Sequence, residues 1–400
     1  MKIAMFLDTA FPPDSRVENE AISLIKAGHE VHLFSLDYEE RKPYEEVNGI
    51  QVHRYKATNL TYKLSALAYT FPFYHNRIKP MIVDFIEKIQ PDILHVHDMV
   101  IARSVMDVKG NTFLGIDLHE NRPEIMKYYK HVNSGWGKWL IDTNKWDKEQ
   151  SKLIKESNHL ILVTEEAKQE ELNMGLKDPD KITVVPNTIL PEIYLKYEIN
   201  QSVIERFKNT FNIVYLGDTS LRRGTDIAIK AIAKLKNKID NINLILIGDS
   251  SVDDELKALS NDLGVSAYIS FEGWQDVSLF PSYVRASSIC ISPLKRNKHH
   301  DTTFANKLFQ YMAMGKPVIV SDCTTQANLI LEENCGLVFK AGEEQSLVEQ
   351  IIRLYNDPAL ASKLGENGKA AVMERWNWDV TSQDLIKLYE CLNIKDTKLK

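Results

Sequence analysis

The sequence has little of what marks several large classes of protein. Only four cysteines occur in 400 residues, and no two of them form a CxxC pair; they are Cys290, Cys323, Cys335 and Cys391. This pattern excludes a disulfide-stapled scaffold and predicts buried free thiols in a reducing compartment. No apolar run approaches the roughly 20 residues of a membrane-spanning helix. The net charge of −6 gives no reason to expect a nucleic-acid partner.

Signatures of common cofactors are also missing. The chain has no P-loop and no GxGxxG segment, so ATP or NAD use finds weak support. His95 and His97 share a strand face in HVHD, but the longer His/Asp pattern of hydrolytic metal sites is absent. We therefore expect neither a cofactor nor a metal. The start, MKIAMFLD, has too few apolar residues before Asp8 for a signal peptide, so we expect a first strand and a cytoplasmic protein.

What the chain does have is a regular alternation of short apolar segments and helical patterns. Alternation of this kind predicts parallel sheets covered by helices on both faces. The polar stretch 188–208 separates two groups of strands, so we predict two doubly wound α/β domains at 1–190 and 208–375. A final helix is predicted at 378–392. Ligands of such sheets bind at the carboxyl ends of the strands.

One segment late in the chain, DTTFANKLFQYMAMGKPVIV, predicts a single helix from Asp301 that ends at Gly315 before a buried strand. On that helix Thr303, Lys307 and Gln310 fall on one face. The free N–H groups of a helix that begins here would suit a phosphate. The alternative is an ordinary core-packed helix with a solvated lysine.

Eight segments spread along the chain resemble the retaining glycosyltransferases of family 4. They are FPPDSRVENEAISLIKAGHEVHLFSL, DILHVHD, DLHE, VVPN, YLGDTSLRRGTDIAIKA, LILIGD, FEGW and NKLFQYMAMGKPVIVSD. The resemblance implies the GT-B architecture, in which two Rossmann-like domains face each other across a cleft. Residues 1–190 would be the acceptor side, with the helix at 378–392 packed back on it. Residues 208–375 would bind a nucleotide-sugar donor.

The donor-side candidates follow from this resemblance and from residue chemistry. They are Gly217, Asp218, Arg222, Arg223, Trp274, Thr303, Lys307 and Gln310. Arginine offers a forked, permanently charged donor set for phosphate oxygens. Arg223 takes the position of the family's phosphate-binding lysine, and Lys307 would add a second charge. The alternative for the Arg-Arg pair is a solvated loop before a helix.

The acceptor-side candidates lie at or just after the ends of three predicted strands, Lys2–Asp8, Ile93–His97 and Thr112–Leu118. They are Asp14, Arg16, His97, Asp98 and Glu120. His119 resembles the family's cleft histidine, and we predict that it is catalytic together with Arg223 and Lys307. A histidine suits proton handling near neutral pH. The alternative for His119 is a structural histidine at a strand end.

The chain departs from the family pattern in the donor half. Asp218 stands where the family often has arginine, and Thr302 and Gln310 stand where it has paired glutamates. A glutamine keeps hydrogen-bonding capacity without charge, so the second contact could survive. Asp301 could substitute for the first glutamate.

The resemblance implies a metal-independent, hexosyltransferase-type enzyme. It would move a sugar with retention from a nucleoside diphosphate sugar to a carbohydrate or lipid-linked acceptor, in surface polysaccharide synthesis. A nucleotide-sugar epimerase and a degenerate, non-catalytic scaffold remain as alternatives.

A last pattern concerns residues 54–79. No acid occurs between Glu46 and Asp84, whereas basic and aromatic side chains recur in this range. This combination predicts peripheral contact with an anionic membrane surface, at the inner face of the membrane. The alternative is a partly buried helix pair.

Overall fold

A computed structural model describes residues 1–129, 132, 135 and 137–398. Two compact units make up the chain. The first contains Met1–Asn187 and Ser382–Lys400, and the second contains Thr188–Thr381. The chain thus leaves the first unit once and returns to it at its C-terminal end.

The first unit is built on an eight-stranded sheet in the order β3-β4-β2-β1-β5-β6-β7-β8. All neighbouring strands are parallel except β3, which runs antiparallel to β4 at the edge. The strands are β1 Lys2–Leu7, β2 Glu30–Asp37, β3 Tyr44–Val47, β4 Ile50–Lys56, β5 Ile93–His97, β6 Phe113–Leu118, β7 His159–Leu162 and β8 Ile182–Val184.

The second unit is built on a six-stranded parallel sheet in the order β11-β10-β9-β12-β13-β14. Its strands are β9 Phe211–Leu216, β10 Ile242–Ile247, β11 Ile269–Gly273, β12 Ile289–Ser292, β13 Val318–Ser321 and β14 Gly336–Phe339. In each sheet the strand order reverses beside the unit's first strand, β1 or β9. This reversal is the switch point at which doubly wound sheets bind ligands.

Helices cover both sheets. Those of the first unit are Ser15–Lys26, Asn59–Ser65, Phe73–Ile89, Met99–Met106, Arg122–Met126, Gly137–Leu140, Thr143–Glu156, Glu165–Asn173 and Gln383–Lys398. Those of the second are Pro191–Tyr194, Gln201–Phe207, Thr225–Leu235, Asp253–Asp262, Phe280–Ala286, Lys298–Thr302, Lys307–Ala313, Thr324–Glu332, Glu344–Asn356, Pro358–Glu374 and Trp378–Thr381. Helix Gln383–Lys398 packs on β8 and on helix Ser15–Lys26.

The predicted α/β class and the predicted parallel strands are confirmed. Strand β3 was not foreseen, because its half-exposed edge position leaves it without an apolar pattern. The prediction of a single helix from Asp301 to Gly315 is wrong. Thr303 is extended, with φ −137° and ψ 147°, and a short helix begins anew at Lys307.

Three of the four cysteines, Cys290, Cys323 and Cys335, are buried free thiols as predicted, whereas Cys391 is exposed. Within the described part of the chain, no helix is both long enough and apolar enough to cross a membrane.

Gly224 lies in the loop between β9 and helix Thr225–Leu235, and its close packing there can be tested by substitution. Its φ is +75°, and a Cβ placed on it would lie 1.7 Å from the carbonyl oxygen of Pro293. We expect Gly224→Ala to destabilise the second unit by about 3 kcal/mol or more, because backbone must move. Gly110→Ala is the control, since Gly110 has φ +56° and no atom within 4 Å of such a Cβ. Replacing Gly110 should cost only about 1–2 kcal/mol, because a residue with a Cβ is less stable in the left-handed conformation. Chemical unfolding monitored by circular dichroism measures both, and equal losses would refute the steric argument.

Candidate functional site

The loop that follows β9 holds half of the predicted residues of the second unit, namely Gly217, Asp218, Arg222 and Arg223. Gly217 has φ +108°, and the chain then makes one 3-10 turn at Leu221–Arg223 before Gly224. Lys295 donates its backbone N–H to the carbonyl of Arg222 at 3.0 Å, so the loop after β12 ties the turn in place. The loop therefore stands at the carboxyl edge of the sheet, at its switch point.

Lys307 reaches this loop from the start of its short helix. Only 9 % of the residue is exposed, and among the described residues its Nζ has no hydrogen-bond partner. Nζ lies 3.6 Å from the centre of the Tyr215 ring and 3.5 Å from where a Cβ of Gly217 would be. The absence of a side chain at Gly217 thus leaves the ammonium room, and the ring face supplies its nearest electron-rich surface.

Asp218 is the carboxylate of this cluster. Its Oδ2 lies 3.2 Å from Nη2 of Arg222 and 3.5 Å from Nε of Arg223. Ser220 donates to the same carboxylate from its backbone N–H at 2.9 Å and from its hydroxyl at 2.8 Å. Although partial burial acts in the opposite direction, the Ser220 hydrogen bonds and the two guanidinium groups lower the pKa of Asp218.

Three basic groups therefore share one carboxylate. Burial, together with the charges of Arg223 and Arg222, lowers the pKa of Lys307 well below its ordinary value, even though Asp218 opposes the shift. A buried ammonium without a partner is costly unless an anion joins it or its proton leaves. The cluster is thus short of negative charge, and an anionic group with several oxygens would complete it.

Sequence reasoning missed two members of the cluster. His300 Nε2 lies 3.4 Å from Nη1 of Arg222. Burial, together with the charges of Arg223 and Arg222, lowers the pKa of His300 to about 3, although its contact with the carbonyl of Lys295 opposes the shift, so the ring is neutral. Tyr215 lies beneath Lys307 and donates its hydroxyl to the carbonyl of Asp218 at 2.6 Å. Tyr215 precedes Gly217 by two residues, so the sequence could predict its place on the strand. The sequence could not predict that its ring contacts Lys307.

The remaining donor-side candidates do not all join the cluster. Thr303 is buried and donates its hydroxyl to the carbonyl of His299 at 2.8 Å, so it does not share a helix face with Lys307. Gln310 is half-buried on the helix, and Trp274 is 70 % exposed just after β11. Asp301 accepts from the backbone N–H of Thr324 at 2.8 Å, which fixes a neighbouring helix and disfavours the predicted substitution for a glutamate.

In the first unit, the predicted residues after β5 and β6 do come together. His119 Nε2 lies 2.8 Å from Oδ2 of Asp117 and 3.2 Å from Nδ1 of His97. The backbone N–H of His119 donates to Oδ1 of Asp98 at 3.1 Å. Although burial acts the other way, the charges of Asp117 and Asp98 raise the pKa of His119 to about 9. Burial, then the charge of His95, lowers the pKa of His97 well below its ordinary value.

Asp98 has an unusual backbone. Its φ of 59° and ψ of 171° lie in a region that only glycine adopts readily. Burial raises the pKa of Asp98 to about 6, although the neighbouring His119 opposes the shift. Strain at a strand end beside a charged histidine is typical of functional positions.

The structure corrects the predicted role of Arg16 and gives Asp14 a contact within its own helix. Arg16 was expected to face an acceptor, but only 2 % of it is exposed and its guanidinium binds inside the unit. Asp14 caps helix Ser15–Lys26 by accepting from the N–H of Val17 at 3.1 Å. Glu120 keeps 41 % of its side chain exposed, 3.9 Å from Arg122. His95 and His97 share a face as predicted, with ring centres 4.5 Å apart.

Comparison with known proteins places the chain. Residues 15–192 match the family model described as Glycosyltransferase Family 4, and residues 197–371 match the model described as Glycosyl transferases group 1. The chain belongs to the family 4 type of glycosyltransferases. An uncharacterised glycosyltransferase of Methanocaldococcus jannaschii is 22 % identical over 98 % of both chains. A capsular polysaccharide biosynthesis glycosyltransferase of Staphylococcus aureus is 24 % identical over 58 % of this chain and 60 % of its own.

Solved structures agree on the fold. A sucrose-phosphate synthase from Thermosynechococcus elongatus matches with a TM-score of 0.78 at 16 % identity, over 98 % of this chain and 99 % of its own. An Anabaena protein solved in complex with UDP matches with a TM-score of 0.71 at 15 % identity, over 98 % of this chain and 100 % of its own. The glycosyltransferase thus has the GT-B fold that the sequence predicted.

Lys307 generates a stability prediction. Because its folded-state pKa is lowered, the unfolded chain binds a proton that the folded chain does not, so stability rises with pH up to the ordinary value of about 10.5. We expect Lys307→Met to remove this slope and to add about 1–3 kcal/mol to the free energy of unfolding near neutral pH.

The control is Lys316→Met. Lys316 is a half-buried lysine of the same unit, but its Nζ donates to the carbonyls of Arg285 at 3.0 Å and Ser287 at 2.6 Å. Its replacement should destabilise the chain. Urea unfolding of both variants from pH 6 to pH 10 checks the pair, and a destabilised Lys307→Met would contradict the unpartnered ammonium.

Proposed function

We propose that this glycosyltransferase moves a sugar, with retention, from a nucleoside diphosphate sugar to a carbohydrate or lipid-linked acceptor in surface polysaccharide synthesis. The enzyme would be of the hexosyltransferase type. Relatives named for capsular polysaccharide biosynthesis and for lipopolysaccharide core biosynthesis support this setting. Similarity to proteins solved with UDP or with UDP-glucose supports the donor class.

The observation that carries the proposal is the buried amino group of Lys307, which lies beside Arg222 and Arg223 and has no hydrogen-bond partner among the described residues. Its lowered pKa means that it holds its proton fully only when an anion joins the cluster. When the sugar–oxygen bond of the donor breaks, negative charge grows on the departing diphosphate. Fixed cations held in a site with little water stabilise such charge strongly. In our proposal these three side chains meet it, and no metal ion is needed.

In the reaction we propose, the bond between the anomeric carbon and the phosphate oxygen breaks. A bond to the acceptor oxygen forms on the same face of the sugar. The acceptor proton passes to the departing phosphate. His119 would contact the donor sugar or the acceptor as a cation, because its raised pKa of about 9 makes it a hydrogen-bond donor near neutral pH rather than a base.

Titration calorimetry with UDP, GDP and ADP tests the donor assignment. We expect one of the three nucleotides to bind and the others to bind at least about tenfold more weakly, a difference of about 1.4 kcal/mol. Hydrolysis of the matching nucleotide-sugar without epimer formation would support the transferase over an epimerase. Failure of all three nucleotides to bind would contradict the proposal.

A second candidate is a GT-B protein that has lost its reaction and serves as a scaffold. Asp218 favours it, because an internal carboxylate already pairs with both arginines. Lys307 argues against it, since Asp218 leaves that ammonium without a hydrogen bond. Binding of a nucleotide with no transfer to any acceptor in a glycan panel would favour the scaffold.

Arg223 offers the sharpest catalytic test. Removing one fixed charge from a transition-state site costs about 3–4 kcal/mol, so we expect Arg223→Ala to lower kcat by a factor of about 100 or more. Arg206→Ala is the matched control, because Arg206 is an arginine of the same unit that pairs with Glu272 at 2.6 Å on the surface. Steady-state kinetics with the matching nucleotide-sugar measures both, and near-normal turnover of Arg223→Ala would refute its role.

We also propose peripheral contact with an anionic membrane, through a smaller surface than residues 54–79. Arg54 is buried and donates to the carbonyl of Phe11 at 3.1 Å, and Tyr74 is buried in the core. Five of the exposed residues of this segment, here called the aromatic patch, are aromatic or basic: Tyr62, Lys63, Phe71, Phe73 and Arg77. The rings of Phe71 and Phe73 stack with centres 5.9 Å apart. Exposed aromatic rings between basic side chains suit an anionic lipid surface.

Sedimentation with vesicles of anionic lipid at low salt tests the patch. Replacing both Phe71 and Phe73 by serine should weaken binding by about tenfold or more, since each lost contact removes apolar burial. Leu331→Ser is the control, because Leu331 is an apolar residue of the second unit that is 63 % exposed. No binding of the unaltered chain to these vesicles would remove the membrane proposal.

A further inference from the structure

A group of buried charged side chains lies behind His119 in the first unit. Asp117, at the end of β6, is fully buried, and its Oδ2 lies 2.8 Å from Nε2 of His119. Since alternate residues of a strand share a face, Asp117 and His119 point the same way. The carboxylate therefore holds one edge of the imidazole ring.

Arg16 in turn holds Asp117 with a two-pronged contact. Its Nε lies 3.0 Å from Oδ2 and its Nη2 lies 2.9 Å from Oδ1 of Asp117. Its Nη1 donates to the carbonyl of Val185 at 2.9 Å. A fork of this type fixes the plane of a carboxylate as well as its charge. Asp117 thus has almost no freedom to turn.

Glu20 and His95 are the remaining members of this group of buried side chains. Nη2 of Arg16 also lies 2.9 Å from Oε1 of Glu20, one helical turn later. Oε2 of Glu20 lies 3.3 Å from Nε2 of His95. On its other side, Nδ1 of His95 pairs with the hydroxyl of Tyr389, from helix Gln383–Lys398. The end of the chain is therefore connected to the residues behind His119.

These residues also suit a metal ion by type. Donor atoms of Glu20, His95, His97 and Asp117 lie within 4.8 Å of one another. However, the guanidinium of Arg16 already lies between the two carboxylates, and His119 adds a second positive charge to Asp117. A divalent ion would have to displace the positive charges of Arg16 and His119 or bind beside them. The observed contacts therefore favour a built-in organic cation.

We propose that Asp117 and Arg16 are positioning residues that fix the ring of His119 and hold it as a cation. The inference rests on the proposed function, in which His119 faces the sugar substrate. With Nε2 committed to Asp117, the Nδ1 edge remains for that purpose, 3.8 Å from Oδ2 of Asp98. A locked imidazolium supplies a fixed hydrogen bond and a fixed charge and does not accept a proton.

The electrostatics agree with this arrangement. Although burial opposes the shift, the charges of Arg16 and His119 hold the pKa of Asp117 well below its ordinary value. His97, which also lies beside His119, has a strongly lowered pKa because of burial and the charge of His95, so it stays neutral and adds no further positive charge at Asp117, whose Oδ2 lies 3.6 Å from Nδ1 of His97. The groups around the ring are thus Asp117, Asp98, His97 and Arg16.

Proton NMR of the full chain tests the inference without any substrate. The His119 ring signal is assigned by its loss in His119→Gln, and we expect it to titrate near the pKa of about 9. In Asp117→Asn the pKa should fall to about 7 or below, because loss of an adjacent opposite charge lowers a histidine pKa by about 1–3 units. Asp84→Asn is the control, since Asp84 is a carboxylate of the same unit that pairs with Lys88 at 2.7 Å.

Kinetics supply the second readout. Activity of the unaltered enzyme should fall as pH rises through about 9, where His119 loses its proton. In Asp117→Asn the fall should move to lower pH, with kcat at pH 8 reduced by at least about tenfold and partly restored at pH 6. Arg16→Lys keeps the charge but loses the fork, so it should lower kcat more than it raises KM. This milder variant also serves if Asp117→Asn fails to fold.

The outcomes separate the two proposals. An unaltered His119 pKa in Asp117→Asn, or a pKa below about 7 in the unaltered chain, overturns the positioning role. The expected NMR result in a chain that binds no nucleotide contradicts the proposed function and leaves the positioning intact. A zinc-dependent rise in melting temperature that His97→Gln abolishes overturns the organic-cation assignment in favour of a metal site.

Discussion

Burying an ionised group is costly unless an opposite charge accompanies it, and this constraint shapes both units. In the first unit the cost is met from within: Arg16 and Asp117 are both buried and their charged atoms meet at 2.9 Å. In the second unit it is not fully met, because Lys307 is buried beside Arg222 and Arg223, and Asp218 is the carboxylate that offsets their charge. One unit therefore holds a network in which buried opposite charges meet, and the other holds a network that still lacks an anion.

Both networks occur where the parallel sheets oblige polar groups to gather. The carboxyl ends of parallel strands face one edge, so every loop that leaves them delivers its side chains to the same place. In the first unit these are the ends of β5 and β6, and in the second the end of β9. A network in which opposite charges are paired holds its side chains in place. A network with too little negative charge binds an anionic ligand favourably. The same topology thus supplies a rigid support in one unit and an anion site in the other.

Most of the fold could be read from the sequence, because the strands are continuous apolar runs that lie between turn signals. β5 at Ile93–His97 matches its predicted bounds. The break at Thr303 could not be read. Both flanking segments keep a helical pattern, and the contact that accompanies the break, between Asp301 and the N–H of Thr324, joins residues far apart in sequence.

The site was partly readable for the same reason. Gly217, Arg222 and Arg223 follow one strand, so their neighbourhood is local in sequence. Lys307 was grouped with them because it lies on the polar face of the predicted helix, but its burial was not foreseen, since a helix pattern of this kind places lysine in solvent. The role of Arg16 was missed, although Glu20 four residues later was a local sign of an ion pair. No local sign could link His95 to Tyr389, which lies 294 residues away.

Asp218 is the feature for which family resemblance and physics pull in different directions. As a replacement for arginine, it removes a positive charge from a site that we expect to bind an anion. Yet its carboxylate accepts hydrogen bonds from Ser220 and holds both guanidinium groups on one side of the loop. Two arginines close to a buried lysine would otherwise repel one another and spread apart. Asp218 therefore lowers the total charge of the cluster while keeping its cations together, and its half-buried position lets an incoming anion share those cations without displacing a core residue.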